Sequence, residues 1–183
     1  MILHCIDPGV FESGVVTLSE ERRVTYAAVV QNDEIRRSLP RVPPDGVLAI
    51  EVPQPRGMPT SGEEMETLIQ IGRFIEAFRD IDRVHRVSRV AVKMEICGVA
   101  NARDTNIRQA IIDLYGGKRT GIGGITCRKC SGKGWRGRGR PTCDSCKGNG
   151  WEVPPGPLYD VKSHCWSALA VGLTCLAQLE TSA

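Results

Sequence analysis

Two acidic side chains stand at the ends of apolar stretches, where a carboxylate is costly unless it is paired or binds a cation. Asp7 ends the mostly apolar run 2–6 and is followed by a Pro-Gly stop. Glu51 interrupts the apolar run 47–52. Because Mg²⁺ prefers carboxylate oxygens, the pair indicates a divalent-metal site on a sheet. A turn-capping Asp7 and a Glu51 paired with a buried Arg are the alternatives.

Four of the eight cysteines form two CxxC pairs separated by 12 residues. They are Cys127, Cys130, Cys143 and Cys146. Four thiolates at this spacing predict a closed, structural zinc site. Both pairs continue into a CxxCxGxG pattern that resembles the zinc repeats of DnaJ-type cochaperones, which implies a protein- or peptide-binding module as one alternative. We expect the remaining thiols to be buried packing residues: Cys5, Cys97, Cys165 and Cys175.

Positive charge is concentrated around the cysteine pairs. The segment 118–140 holds eight Lys and Arg and no acid, which leaves 16 of the 24 basic residues against all 21 acidic ones elsewhere. This asymmetry favours a local contact with a polyanion such as nucleic acid. Trp135 beside an Arg-Gly stretch could stack on bases, although a solvated loop tip is the alternative. The candidate contacts are Lys118, Arg119, Arg136, Arg138 and Arg140.

The composition is that of an ordinary globular protein, with 41% hydrophobic and 25% charged residues. No apolar run reaches membrane-spanning length, and the chain opens without a signal peptide. We therefore expect reduced thiols, no membrane association and a cytoplasmic location in a bacterial or phage-infected cell.

Strands and helices alternate after a three-strand meander. The predicted strands are 2–7, 14–18, 24–30, 47–53 and 87–93, and the predicted helices are 63–79 with Ser61 as cap, 105–114 and 161–179. A short helix or irregular crossover is expected within 32–45. This order predicts an α/β fold, a ribonuclease H-like mixed sheet flanked by helices. Residues 1–117 and 157–183 would form that domain, and 118–156 a zinc-binding insertion.

Several short motifs occur in an order and spacing that resemble the RuvC-type Holliday junction resolvases, especially their phage-encoded relatives. They are 6–9, 50–52, 56–59, 71–74, 92–98, 103–110 and 166–174. The resemblance implies a homodimer that cleaves branched DNA with Mg²⁺ or Mn²⁺. Asp7 and Glu51 match the first two metal-binding acids of the family.

The resemblance also implies further site residues. The family's third and fourth acids lie one turn apart on the last helix, and here these places are His164 and Ser167. His164 would bind metal or act as a general base, with a core histidine as the alternative. Asp160, one turn earlier, could supply a missing carboxylate. Lys93 and Arg103 match DNA-contacting positions, with solvated surface charge as the alternative.

Three functions follow from these observations. The first is a structure-selective DNA endonuclease that acts on four-way or other branched junctions in recombination, repair or phage DNA processing. The second is a non-catalytic nucleic-acid-binding protein with a degenerate site, because His164 and Ser167 replace acids. The third is a zinc-dependent protein-interaction module on a ribonuclease H-like scaffold.

Overall fold

The computed structural model describes residues 1–54, 60–135 and 142–182. Its contacts divide the chain into two compact units. The first, here called the sheet unit, is 1–108 with 161–183, and the second, the zinc unit, is 109–160. Within the described residues, no helix is both long and apolar enough to cross a membrane.

A five-stranded mixed sheet organises the sheet unit. Its strands are β1 (Ile2–Asp7), β2 (Glu12–Ser19), β3 (Val24–Gln31), β4 (Gly46–Val52) and β5 (Val84–Ser88). The order is β3-β2-β1-β4-β5, with β1, β4 and β5 parallel and β2 antiparallel to both its neighbours. The apolar strand β4 lies between β1 and β5, and its first five residues are buried. The predicted mixed α/β fold is confirmed.

Helices cover both faces of this sheet. The helices within the described residues are α1 (Asn32–Ser38), α2 (Gly62–Phe78), α3 (Arg89–Cys97), α4 (Asp104–Leu114) and α5 (Cys165–Ser182), and those that cover the sheet are α1, α2 and α5. Residues of α1 and α2 pack with Ile6, Leu48 and Ile50 on one face. On the other, α5 packs against β1, β2 and β4. A Cβ at Gly172 would lie 2.4 Å from Cys5 Sγ, so α5 approaches β1 closely because this residue is glycine.

One predicted element is wrong, and the predicted start of another is misplaced. The run 87–93 is not a strand, because β5 ends at Ser88 and α3 begins at Arg89. The Ser88 side chain accepts a hydrogen bond from Ala91 N at 3.1 Å and caps this helix. The last helix begins at Cys165 rather than at 161, so His164 precedes it instead of lying on it. Ser61 does cap α2, accepting from Glu64 N at 3.1 Å.

The zinc unit contains little regular structure. It has a π-helical turn at Lys118–Ile122 and a two-stranded antiparallel sheet of β6 (Gly123–Thr126) and β7 (Trp151–Pro155). Its four pattern cysteines are buried together as a small cluster. This unit contains the predicted 118–156 segment and begins within α4. The exact bounds of the predicted insertion stay a prediction.

Candidate active site and zinc centre

The register of two parallel strands brings the two predicted acids together. Ile6 of β1 is opposite Ile50 of β4, so Asp7 and Glu51 are the next residues of the two strands. Successive side chains of a strand alternate between faces. Ile6 and Ile50 belong to the core cluster beneath α1 and α2. Asp7 and Glu51 therefore share the opposite face, which α5 covers.

His164 contacts Asp7 directly. Its Nδ1 lies 3.3 Å from Asp7 Oδ2, and its side chain is 62% exposed whereas that of Asp7 is 18% exposed. Gly14 of β2 makes room for this histidine, because a Cβ there would lie 2.5 Å from the His164 carbonyl carbon. Gly14 is also the β2 partner of Asp7. The predicted association of Asp7 with His164 is therefore present in the geometry, and its catalytic role stays a prediction.

Arg89 binds Glu51 and was missed by the sequence analysis. Its guanidinium lies 3.2 Å from Glu51 Oε2 and also hydrogen-bonds Asp104. Glu51 and Arg89 are both largely buried, with 17% and 19% of their side chains exposed. The alternative of a Glu51 paired with Arg is thus realised. Ser88 as a helix cap was the signal that could have placed Arg89 at a helix start above the sheet.

The two carboxyls lie in an environment that disfavours their charged forms. Burial raises the pKa of Asp7, while His164 and Arg89 oppose the rise. Burial also raises the pKa of Glu51 to about 7, with Arg89 opposing the rise and Asp7 adding to it. Desolvation of an ionised carboxyl is the shared cause. A divalent cation between these groups would supply the compensating positive charge.

A cleft of about 470 Å³ opens beside the acids. Asp7, Glu51 and Arg89 line it together with Glu64 and Thr67 from the first turns of α2. Glu64 is a further carboxylate that sequence reasoning did not assign. A larger cavity, about 790 Å³, is lined by His4, Ile6 and residues of β2, β3 and α1, and it does not include the two acids.

The donor set fits a loosely held hard cation. Over the described part of the chain, the only group of three or more His, Cys, Asp or Glu donors close enough to share one ion is the cysteine cluster. Asp7 and Glu51 therefore do not form a closed cage with His164. Mg²⁺ commonly keeps several waters and takes only one or two protein carboxylates. Two neighbouring strand-end carboxylates meet that requirement.

The other predicted site residues lie at several places. Lys93 is half-buried on α3, one turn after Arg89, and Arg103 is exposed immediately before α4. Ser167 is half-buried in the first turn of α5. Asp160 is exposed in a turn and is the last residue of the zinc unit, not part of a helix that continues to His164. Their roles in DNA or metal binding remain predictions.

The four pattern cysteines form a site of the size that zinc requires. Their sulfur atoms all lie within 4.8 Å of one another. Cys127 Sγ is 3.9 Å from Cys143 Sγ, and Cys130 Sγ is 3.6 Å from Cys146 Sγ. Tetrahedral Zn–S bonds of about 2.3 Å place sulfurs about 3.8 Å apart. The cluster therefore fits the predicted structural zinc ion.

Backbone amides favour thiolate formation at one of these ligands. The amides of Cys146 and Ser145 hydrogen-bond the Cys143 sulfur, and the first of these is the main cause that lowers the pKa of Cys143 to about 6 despite its burial. A zinc ligand must be a thiolate. The backbone of the second cysteine pair thus favours the thiolate form of Cys143 that zinc binding requires.

The cysteines outside the cluster differ in burial, and only some of the predicted basic contacts lie within the described residues. Cys5, Cys165 and Cys175 are buried as predicted, whereas Cys97 is only half-buried. Lys118 and Arg119 begin the π-helical turn. The predicted DNA contacts Arg136, Arg138 and Arg140, and the motif at 56–59, lie outside the described residues.

No protein-family model matches this chain, and no curated protein sequence does. Solved structures do match. The structure of Thermus thermophilus RuvC in complex with a Holliday junction substrate has a TM-score of 0.63 and 16% identity, over 100% of this chain and 96% of that one. A second Thermus thermophilus RuvC structure has a TM-score of 0.61 and 18% identity, over 99% and 98% of the two chains. The chain therefore has the fold of the RuvC Holliday junction resolvases.

Proposed function

We propose that the protein is a metal-dependent endonuclease that cleaves phosphodiester bonds in Holliday junctions or other branched DNA. One observation carries the proposal: Asp7 and Glu51 end neighbouring parallel strands on one face of a RuvC-like sheet, with His164 in contact with Asp7. The RuvC structure with a junction substrate supports the choice of substrate, since it has the same fold.

In the proposed reaction the acids bind the metal and the histidine transfers a proton. Asp7 and Glu51 hold Mg²⁺ or Mn²⁺, which when bound supplies Lewis-acid stabilisation of charge on the phosphate oxygens. Asp7 accepts a hydrogen bond from His164 Nδ1, which fixes the ring and leaves Nε2 as the atom that takes a proton from the attacking water. Exposure of 62% of the His164 side chain gives that atom access to substrate.

Arg89 contributes positive charge at the same site. In this structure its guanidinium forms ion pairs with Glu51 and Asp104, and Arg89 lines the same cleft as Asp7. A guanidinium can bind a phosphate group in a bidentate fashion. In the proposed enzyme, Arg89 orients Glu51 and neutralises part of the acidic cleft when the DNA backbone enters.

We propose a homodimer, and α2 offers its interface. Met65, Leu68 and Ile69 form an exposed apolar stripe on this helix, with 53%, 43% and 45% exposure. Gly72 continues the stripe one turn later, and a Cβ there would contact nothing within 4 Å. A two-fold dimer would present two active sites to two strands of a symmetric junction. Sedimentation of Leu68→Glu should show a monomer where the unmodified chain is a dimer.

Cleavage of a synthetic four-way junction tests the function. With Mg²⁺ or Mn²⁺ the unmodified protein should nick the junction and leave a linear duplex intact. Asp7→Asn should lose about 100-fold or more of this activity, since a metal-binding charge is removed, while junction binding persists. Full cleavage by Asp7→Asn would remove this residue from the mechanism.

The ion pair between Glu51 and Arg89 favours a second candidate, a nucleic-acid-binding protein without catalysis. In that protein Arg89 would permanently satisfy Glu51, and Ser167 would leave the site short of charge. Junction binding without cleavage under any divalent metal would support this candidate. Absence of both binding and cleavage would favour the zinc unit as a protein-interaction module.

A further inference from the structure

The zinc unit is built from two copies of one backbone motif, which we call the first knuckle (127–135) and the second knuckle (143–151). Each donates a cysteine N–H to the other's penultimate glycine: Cys127 N to Gly150 O at 2.9 Å, and Cys143 N to Gly134 O at 3.0 Å. Each tryptophan pairs with a threonine before the other knuckle, Trp151 with Thr126 and Trp135 with Thr142. The two knuckles are therefore equivalent in backbone structure.

The glycines at the crossing explain this close exchange. A Cβ at Gly134 would lie 2.3 Å from Gly148 O, and a Cβ at Gly150 would lie 2.4 Å from Gly132 O. Both residues also have positive φ, of 77° and 80°. Glycine is thus required in both copies for the same reason. Equivalence of the backbones means that differences between the copies are differences of side chains.

The side chains of the two knuckles differ in charge. The first knuckle carries Arg128, Lys129 and Lys133 and no acid, whereas the equivalent positions of the second are Asp144, Ser145 and Asn149. Lys147 brings the second knuckle to neutrality. Zinc binding and folding are common to both copies and do not require this asymmetry. Lys129 forms an ion pair with Asp144, with Nζ 3.7 Å from Oδ2, so Arg128 and Lys133 carry the positive charge that a ligand of the first knuckle could meet.

The two tryptophans differ in the same direction. Trp151 is half-buried and packs edge-on against Tyr159, with ring centroids 6.2 Å apart at 74°. Trp135 is 41% exposed. The contact with Tyr159 accounts for part of the burial of Trp151, whereas Trp135, which also has an interaction of its own, keeps the larger exposed surface. The first tryptophan combines an exposed aromatic surface with three basic residues of its own knuckle.

We propose that the first knuckle binds an unpaired nucleobase, with Trp135 stacking on the base and Lys133 contacting the adjoining phosphates. The proposal rests on the proposed function, because base pairs at the exchange point of branched DNA lack continuous stacking and open more readily than those within a duplex. An exposed aromatic side chain among cations is the usual platform for single-stranded nucleic acid. The second knuckle then stabilises the unit, and the first recognises DNA.

The test uses the full zinc-loaded chain carrying Asp7→Asn, without Mg²⁺, so that no cleavage occurs. The probes are a fluorescent oligothymidylate and an abasic oligonucleotide of equal length, which has the same phosphates but no bases. Trp135→Ala should weaken oligothymidylate binding roughly tenfold, as expected for loss of one stacked base, and leave abasic binding unchanged. Trp135→Phe should restore most of the difference.

The internal equivalence supplies the matched controls. Lys133→Asn gives the first knuckle the second's residue and should weaken both probes alike, because it removes a phosphate contact. Trp151→Phe should alter neither affinity. Zinc content of one ion per chain in every variant establishes that the unit is folded.

The proposal is overturned if Trp135→Ala binds oligothymidylate as well as its parent, or if it weakens both probes equally. Its failure is separable from failure of the proposed function. If the unmodified protein cleaves no junction while oligothymidylate binding depends on Trp135, the nuclease assignment fails and the base site stands. If junctions are cleaved and Trp135 makes no difference, only the base site fails.

Discussion

The two units differ in how the buried core is related to the candidate site. The sheet unit has a large apolar core, and its site consists of a few polar side chains added at the strand ends. In the zinc unit the buried cluster and the ligand set are the same four cysteines. We therefore expect replacement of a candidate site residue in the sheet unit to affect activity more than stability. In the zinc unit, we expect the same kind of replacement to unfold the unit.

Removal of zinc should produce the largest effect and confine it to one unit. Structural zinc contributes about 10–16 kcal/mol of apparent binding energy, so a chelator or Cys143→Ser should unfold residues 123–155. Hydrogen exchange should then become fast there and stay slow in β1 and β4. Cys97→Ser, at a half-buried thiol outside the cluster, is the matched control and should change neither region. Unfolding of both units together would contradict the expectation that zinc stabilises the zinc unit alone.

Substitution of His164 should show the reverse pattern, a large loss of activity with little loss of stability. His164→Ala should cut a four-way junction about 100-fold more slowly, because a proton-accepting group is lost. His164→Asp should retain metal-dependent cleavage. Thermal unfolding of His164→Ala should match that of the parent, since the side chain is largely exposed. A fully active His164→Ala would make Asp160 the next candidate.

Glu51 should make the metal-free protein less stable as pH rises. Its pKa is raised from 4.5 to about 7 on folding, so the folded state holds a proton that the unfolded state has released. Stability should fall between about pH 4.5 and 7 and then level off, by on the order of 3 kcal/mol. The free energy of unfolding of Glu51→Gln should not show this decline between pH 4.5 and 7. An unchanged pH profile in that variant would assign the effect elsewhere.

The smallest effect concerns the basic segment. Changing Arg136, Arg138 and Arg140 together to Ala should lower the salt dependence of junction binding by about 2 to 3 in log–log slope, since phosphate contacts are lost. The triple change of Arg36, Arg37 and Arg41 in the sheet unit is the control of equal charge. Equal slopes for the two triple variants would deny the segment a special role.

The sequence predicted what depends on local pattern. Asp7 is predicted because it ends an apolar run and Glu51 because it interrupts one, and the four cysteines are predicted to bind zinc because two CxxC pairs suffice to close a site. Arg89 was missed because the valine-rich run 87–93 was read as a strand. Ser88 and Gly98 nevertheless mark both ends of a helix there, as cap and left-handed stop.

The rest of the site depends on three-dimensional contacts that no pattern encodes. Any side chain at Gly14 would clash with His164, which lies 150 positions later in the chain. The link from Glu51 through Arg89 to Asp104 joins β4 with the starts of α3 and α4. The predicted start of α5 is four residues too early. Residues 161–164 directly precede the apolar helix, and the sequence offers no clear cap residue that would separate them from it.

The pairing of β1 with β4 has a consequence for how such a chain can diverge. A one-residue insertion or deletion within β1 would rotate Asp7 to the face beneath α1 and α2 and separate it from Glu51. Side-chain exchanges that keep the strand apolar leave both acids in place. The length and register of β1 therefore fix where Asp7 lies, whereas the identity of the apolar core residues does not. At 16% identity to the RuvC structure, this chain has the same fold, and in this chain an acid stands at the end of each of the two paired strands.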